Sequence, residues 1–391
     1  MPLRVLHIAH GIEKEQTGAG NSIPTLCGVL AEQGIEVTLV ALDLGGSLNG
    51  EVRGSETLSI HRFPYIGPRR IGHSPKLLSF LNEAIKKVDI VQTHFLWLYP
   101  VTYAAWLAMR MGKALVMQPH GALFPAALSK ARLVKRIWYQ FLDGPALRRA
   151  RCVVATSEQE AYQIRQLVQP QRLLVSPNGI TLPDLPDRSL SKQKTVEMIG
   201  LGSLGKYLLY LGNITPHKNL EKLIDAWAGI QKQWPNHTLV LVGPGDPKYL
   251  HILQGQIEKR ELAKRTKIRP PIYGEDKWGL LQGAEMVINP SRSENFSFVV
   301  GEALSCGTPV VASRGCPWEC LETEGFGHWV ETDSGLLGQA INDVLSWPTG
   351  RRQSLAVRGK EYIRVHYSWE KAAHQFIQLY DDLVQSSARR I

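Results

Sequence analysis

The chain alternates between short runs rich in β-branched residues and stretches of helical periodicity, stops in a polar segment, and then starts again. Strands are expected over residues 5–8, 37–42, 90–94, 114–118, 152–156 and 173–176, with helices over 23–33, 75–87 and 101–111 between them. Residues 184–194, rich in Pro, Ser and charge and without periodicity, read as a linker. Strands over 207–211, 238–242, 286–289 and 309–312 then interleave with helices over 220–234, 249–262 and 298–305, and helices over 338–347, 354–365 and 370–385 close the chain. A β-α-β order demands parallel strands covered on both faces, so the expected class is α/β with two doubly wound parallel sheets. The expected domains are residues 1–186, with 370–391 packing back on them, and residues 187–369; the 391 residues suit that count. Such sheets bind ligands at the carboxyl ends of their strands, which places the expected active site between the domains.

Composition removes several classes. With 44% hydrophobic and 20% charged residues the chain is neither disordered, collagen-like nor coiled-coil. Its net charge of +10 favours anionic partners, and seven of those ten charges fall within residues 1–184. No module mixing aromatic and basic residues accompanies the charge, so nucleic acid is not an expected partner; a non-enzymatic anion- or nucleic-acid-binding protein is the alternative from another class. Five cysteines (Cys27, Cys152, Cys306, Cys316, Cys320) are an odd number without a Cys-x-x-Cys pair, which argues for a reducing cytosol rather than a disulfide framework or zinc knuckle. The apolar stretch before Glu13 is too short for a signal peptide, so a cytoplasmic location is expected. The 20 uncharged residues between Asp89 and Arg110 are interrupted by Gln92, Thr93, His94 and Pro100, and read as a strand and a helix rather than a membrane span. Gly18-Ala19-Gly20 is followed by Ile23 where a dinucleotide fingerprint needs its third glycine, which argues against a nicotinamide oxidoreductase.

The segment richest in chemistry runs Asn289-Pro290-Ser291-Arg292-Ser293-Glu294-Asn295-Phe296-Ser297, then on through Glu302 to Cys306-Gly307-Thr308-Pro309-Val310-Val311. A strand ends at Pro290, a polar turn follows, and a helix begins near Phe296, so unpaired N–H groups and a positive helix end are expected to suit a diphosphate. Glu294 and Glu302, eight residues apart, are separated by roughly 12 Å at about 1.5 Å per helical residue. That is comparable to the reach from a transferred sugar to a ribose across a diphosphate. A carboxylate accepts both ribose hydroxyls well, which suits Glu302; Glu294 falls beside the sugar.

This pattern resembles the Glu-x7-Glu motif and the following Ala-Leu-x-Cys-Gly-x-Pro-Val-Val of the group-1 (family 4) retaining glycosyltransferases. The resemblance implies the GT-B fold of two facing Rossmann-like domains, and it extends over nearly the whole chain. Thr17-Gly18-Ala19-Gly20 resembles the family's glycine loop, with Gly18 matching its second glycine. Pro119-His120-Gly121 resembles the family's His-Gly, whose histidine faces the donor sugar; His94 is a further candidate on the acceptor side. Gly212-Asn213-Ile214-Thr215-Pro216-His217-Lys218 resembles Gly-Arg-x-x-x-x-Lys, whose two cations neutralise the diphosphate. Lys218 is in place but Asn213 stands where the family has arginine, and Arg292 or His217 is a candidate substitute. Pro177-Asn178-Gly179 resembles the turn at the interdomain crossing, and Tyr367-Ser368-Trp369-Glu370 the closing motif. Gly315-Cys316-Pro317-Trp318 resembles a variant from a bacterial branch devoted to cell-surface polysaccharides; read by itself it is a strand-to-helix turn with Pro at N1.

The implied activity is retaining transfer of a hexose-type sugar from a UDP- or GDP-sugar to a glycan or lipid-linked acceptor. The implied catalytic residues are His120, Lys218 and Glu294. The implied donor site comprises Gly18, Asn213, Lys218, Gly274, Asn295, Phe296, Ser297 and Glu302. A departing diphosphate met by Lys218 and a helix end needs no metal, and no Asp-x-Asp motif is present; no cofactor is expected. A GT-B relative that hydrolyses or epimerises a nucleotide sugar is the alternative within the class. Residues 129–142 place Lys130, Arg132, Lys135 and Arg136 on one side of a helix and Leu133, Val134, Ile137, Trp138 and Phe141 on the other. The expectation is that the apolar stripe packs on the domain core; the alternative is an anionic membrane surface on the inner face of the plasma membrane.

Overall fold

The computed structural model describes residues 2–12, 18–45, 56–68, 71–129, 131–183, 185, 195, 197–200 and 205–388. Thr17, Lys130 and, apart from Leu185, the linker expected over 184–194 lie outside them. The chain divides into two compact units, Met1–Gly179 with Ser368–Ile391, and Ile180–Tyr367.

The first unit holds seven strands, β1 (Arg4–Ile8), β2 (Glu36–Leu42), β3 (Leu58–Phe63), β4 (Ile90–His94), β5 (Ala114–Gln118), β6 (Cys152–Ala155) and β7 (Leu173–Val175), in the order β3-β2-β1-β4-β5-β6-β7. Every pairing is parallel. β4 and β5 are buried along their whole length, as strands covered on both faces must be. The helix Pro75–Lys87 shows how the sequence covers them. Ser74 caps it by accepting from Leu77 N–H, Pro75 sits at its start, Leu77, Leu81 and Ile85 are buried at four-residue intervals, and Lys86 and Lys87 close it where cations suit the helix dipole.

The last helix, Trp369–Ala388, belongs to this unit. It buries Ala372, Ala373, Phe376, Leu379, Tyr380 and Leu383, and it is tied by Ser176 Oγ donating to Gln375 Oε1 (2.9 Å). A Cβ on Gly179 would fall 2.2 Å from the Trp369 ring, so the Pro177-Asn178-Gly179 turn admits only glycine at its third position.

The second unit repeats the plan with β8 (Lys206–Leu211), β9 (His237–Val242), β10 (Thr266–Arg269), β11 (Met286–Asn289), β12 (Val310–Ser313) and β13 (Gly327–Val330), ordered β10-β9-β8-β11-β12-β13 and wholly parallel. In each unit the strand order reverses beside the first strand, at β1/β4 and at β8/β11. Those are the positions where such sheets open a crevice for ligands. β3, β10 and β13, absent from the sequence reading, are all edge strands; half-buried runs such as Thr266-Lys267-Ile268-Arg269 lack the continuous apolar signature of an inner strand.

The expectations for residues 129–142 need correction on two counts. The segment is broken into Pro125–Ser129, Arg132–Trp138, a π-helical turn Tyr139–Asp143 and Gly144–Arg149, with Ala131 left-handed at φ 54°. Its apolar stripe does not pack on the core: Leu133 is 70% exposed, Phe141 67%, and Val134 and Ile137 more than half. The segment is held instead through Trp138, the half-buried member of that stripe, and through Tyr139 and Asp143. Trp138 Nε1 donates to Thr102 Oγ1 (3.1 Å), Tyr139 O–H to the Leu167 carbonyl (2.6 Å), and buried Asp143 accepts from Thr102 Oγ1 (2.7 Å) and Trp97 N–H (2.8 Å). The stretch between Asp89 and Arg110 is a strand and a helix, and no helix among the described residues is long and apolar enough to cross a membrane. All five cysteines are buried and free.

Candidate functional site

In the first unit, neutral side chains gather at the β1/β4 reversal point, all but His120 buried. His7 projects from β1, Gln92 and His94 from β4, Gln118 from β5, and His120 from the turn after β5. His120 is left-handed at φ 52°, and so are Phe95 and Trp97 after β4, conformations that side chains other than glycine hold only where their surroundings impose them. The constraint on His120 is a carboxylate: buried Glu160 accepts from Gly121 N–H (2.5 Å), from Thr156 N–H (2.8 Å) and from Thr156 Oγ1 (3.0 Å). Burial raises the Glu160 carboxyl above its ordinary range, while those donors act the other way.

His94 is fully buried with both ring nitrogens engaged, Nε2 with His7 Nδ1 and Nδ1 with His120 Nε2, each at 3.0 Å. It therefore stands behind His120, with neither ring nitrogen open to solvent. Burial also lowers the pKa of His7 and His120 to about 3, which leaves both rings neutral. Gly18, at φ 69° and ψ −113°, caps the helix Ala19–Glu32 in a conformation that side-chain-bearing residues avoid, so glycine is required by the backbone alone.

The crevice of the second unit is charged. Two turns meet there, one after β8 and one after β11. Arg292 N–H donates to the His217 carbonyl (3.1 Å), His217 Nε2 to the Ser293 carbonyl (2.5 Å), and Lys218 Nζ to Glu294 Oε1. Ser291 Oγ lies 2.6 Å from the same Glu294 oxygen and 2.7 Å from Asn289 Oδ1, and Asn289 Nδ2 donates to Ser297 Oγ (2.5 Å). Of the two substitutes considered for the missing arginine, His217 is committed to the loop, whereas Arg292 is exposed beside Lys218 with its Nε 3.4 Å from Asn219 Oδ1. Asn213 takes part through its carbonyl, which accepts from Tyr210 O–H (2.7 Å).

The helix Phe298–Ser305 begins two residues later than Phe296, because Ser297 is left-handed (φ 67°). Phe296 is buried against Trp318, Tyr367 and Phe298, so its side chain serves packing and only its backbone borders the turn. Glu302, in the second turn of that helix, accepts from Lys277 Nζ (2.8 Å), which also lies 4.2 Å from the centroid of the Trp278 ring. Lys277 escaped the sequence reading. It sits in the first turn of the helix Glu275–Gly283, capped by Gly274 at φ 63°, and only the tertiary fold carries it to a carboxylate 25 residues away.

The segment Arg314-Gly315-Cys316-Pro317-Trp318 buttresses these turns. Glu294 N–H donates to the Gly315 carbonyl (2.8 Å), Ser313 Oγ to the Ser291 carbonyl, and Trp318 Nε1 to the Phe296 carbonyl (2.5 Å). A Cβ on Gly315 would lie 2.5 Å from the Arg292 carbonyl oxygen. Pro317 is not at N1, since the next helix starts at Cys320. Chemically, the second unit offers lysines and a helix N-terminus to an anion, each lysine meanwhile neutralised by a glutamate that accepts hydroxyl hydrogens well.

Comparison with known proteins agrees with this division. Residues 17–182 match the model of Glycosyltransferase Family 4, and residues 192–362 that of Glycosyl transferases group 1. A D-inositol 3-phosphate glycosyltransferase of Jonesia denitrificans is 27% identical over 320 residues, 75% of this chain and 71% of the relative. The GDP-mannose:cellobiosyl-diphosphopolyprenol alpha-mannosyltransferase of Xanthomonas oryzae pv. oryzae is 27% identical over 336 residues, 83% and 81% of the two chains. Among solved structures, the sucrose-phosphate synthase of Thermosynechococcus elongatus superposes with a TM-score of 0.75 at 22% identity, covering 98% of this chain and all of that one. Anabaena HepE in complex with UDP-glucose gives 0.74 at 17%, covering 97% and 100%.

Proposed function

The chain belongs to the group-1, family 4 glycosyltransferases and has two Rossmann-like units of the GT-B class, and from that premise we propose that it transfers a hexose-type sugar with retention from a UDP- or GDP-sugar to a glycan or lipid-linked acceptor. The observation that carries this reading is the pairing of Lys218 with Glu294 across two turns at the head of a helix. A nucleoside diphosphate bound there takes the Lys218 ammonium and the first-turn N–H groups as its counter-charge, with Arg292 beside them. These groups stabilise the negative charge that grows as the glycosidic bond to phosphate breaks, and no metal is needed for that step. Glu294, relieved of its lysine, receives hydroxyl hydrogens of the sugar, and Lys277 and Glu302 receive the ribose end. Retention follows a same-face route, in which the departing phosphate oxygen takes the proton of the incoming acceptor hydroxyl. His120 accepts a hydrogen bond from a sugar hydroxyl.

The names of relatives support the two substrates: GDP-mannose and a diphosphopolyprenol in one, UDP-glucose in another. A lipid-linked acceptor in cell-surface polysaccharide or glycolipid synthesis also accounts for Leu133, Val134, Ile137 and Phe141, exposed among Arg132 and Arg136, as a surface that rests on anionic lipid from the cytoplasmic side. Incubation with UDP-glucose, GDP-mannose and ADP-glucose, with and without lipid-linked acceptor, tests the reading. Transfer with the donor's anomeric configuration, read by proton NMR, is the expected result. Release of free sugar regardless of acceptor identifies a hydrolase and overturns it.

A further inference from the structure

Three histidines of the first unit form one hydrogen-bonded row that ends on the last helix. Tyr380 O–H lies 2.5 Å from Gln92 Oε1 and 3.4 Å from His7 Nε2, His7 Nδ1 lies 3.0 Å from His94 Nε2, and His94 Nδ1 lies 3.0 Å from His120 Nε2. Consecutive rings are nearly coplanar, with centroids 5.3 Å apart and interplanar angles of 20° and 26°. At the far end His120 Nδ1 is buried and without a hydrogen-bond partner among the described residues.

A neutral imidazole carries one N–H and one lone pair, so a row of them must point one way throughout. Burial holds these rings neutral, and no carboxylate or ammonium is among their hydrogen-bond partners. The direction is decided at Tyr380, which has a single proton. Gln92 gives its Nε2 to Gln118 Oε1 (3.3 Å) and so turns its oxygen toward Tyr380, which donates to it over the shorter of its two contacts. Tyr380 then accepts from His7 Nε2–H, His7 Nδ1 accepts from His94 Nε2–H, and His94 Nδ1 accepts from His120 Nε2–H. His120 is left with a bare lone pair on Nδ1.

We propose that Tyr380 and Gln92, acting through His7 and His94, are positioning residues that fix His120 in the Nε2–H tautomer and so make its Nδ1 an obligatory hydrogen-bond acceptor. An acceptor of that kind selects a hydroxyl and refuses a phosphate oxygen, which has no proton to give. The inference rests on the reading of His120 as a group that meets the sugar, and it deepens it. It also assigns the last helix a part in recognition through a side chain 260 residues beyond His120.

The test is long-range proton–nitrogen correlation on the full chain labelled with 15N-histidine, with the three rings assigned by single His→Gln substitutions. In the wild type the proton is expected on Nε2 of all three. Gln92→Leu removes the acceptor of Tyr380, whose proton then turns to His7 Nε2 and reverses the row, so that all three rings carry the proton on Nδ1. Tyr380→Phe, which keeps the ring that packs, removes the arbiter and gives a mixture. Turnover should fall about tenfold in Gln92→Leu, with KM for the nucleotide sugar within twofold. A wild-type His120 protonated on Nδ1 overturns the proposal, as do folded variants of both kinds that keep the wild-type tautomers. Addition of UDP-glucose or GDP-mannose to the wild type should shift the His120 Nδ1 resonance. Expected tautomers with no shift from either sugar uphold the row and overturn instead the reading of His120 as a sugar contact.

Discussion

The two units share a strand order and a reversal point, yet line their crevices with opposite chemistry. At β1/β4 the residues are neutral and aligned in one row, with His7 and His94 fully buried and His120 partly so; at β8/β11 they are lysines and glutamates, partly open to solvent and paired with one another. The difference lies in what each environment does to charge. Deep burial makes an ionised histidine costly, so the first crevice works through neutral donors and acceptors and suits sugar hydroxyls. The second keeps its ions affordable through opposite partners and a helix end, and suits an anion that displaces a carboxylate from its lysine. Under the proposed function, a common scaffold is divided between recognition of hydroxyls and of phosphate.

Acidification should separate the two crevices most. His7, His94 and His120 have pKa values lowered in the folded state, so below about pH 6.5 the unfolded chain binds protons that the folded one refuses. Their contribution is intact above that pH and is lost as pH falls, for His7 and His120 toward folded values of about 3, at about 1.4 kcal/mol per pH unit for each of those two. Hydrogen exchange between pH 7 and 5 should show β1, β4 and β5 opening before β8 and β11. Simultaneous loss with a slope below one proton would break the contrast.

Next in size is Lys218→Ala, which should lower kcat by about 10² to 10³, the cost of removing one donor to a developing oxyanion. Retention of a tenth of wild-type turnover would show that the charged crevice does not carry the leaving group. Gly315→Ala forces a methyl group against the Arg292 carbonyl and should destabilise the second unit by about 1–3 kcal/mol, seen as a lower urea midpoint with little change in the first. His120→Phe removes a neutral hydrogen bond worth about 0.5–1.5 kcal/mol, so kcat/KM should fall by roughly 2- to 13-fold, far less than for Lys218→Ala. An equal loss would erase the distinction between the neutral and the charged crevice. Smallest of all, Leu133→Ser and Phe141→Ser should each change stability by under about 0.5 kcal/mol, since both side chains are already in water. Flotation with anionic vesicles should nevertheless weaken in both, and unchanged flotation would remove the lipid reading of that surface.

Much of this was legible in the residues themselves. The inner strands announce themselves as continuous apolar runs, and the helix around Leu77, Leu81 and Ile85 by its spacing, its Ser74 cap and its closing lysines. Glu294 and Glu302 stand out in the polar turn and helix that follow an apolar strand, whereas Lys218 stands out only through the resemblance to the family's Gly-Arg-x-x-x-x-Lys turn. The edge strands β3, β10 and β13 did not stand out, because a strand with one open side need not be apolar. Leu133 to Phe141 misled for a related reason: helical spacing of apolar residues specifies a face but not what covers it.

What the sequence determined by itself is the plan: two parallel sheets, their order along the chain, and the strand ends where chemistry gathers. These follow from local periodicity, which each segment carries alone. Only the tertiary structure decided which residues meet. Lys277 reaches Glu302, Tyr380 reaches His7 and Gln92 from the far end of the chain, and Trp318 supports the turn after β11, because sheet order and helix return bring distant positions together. A histidine in mid-strand such as His7 reads as core until its neighbours are known, since burial and the direction of a shared proton are properties of the assembled unit.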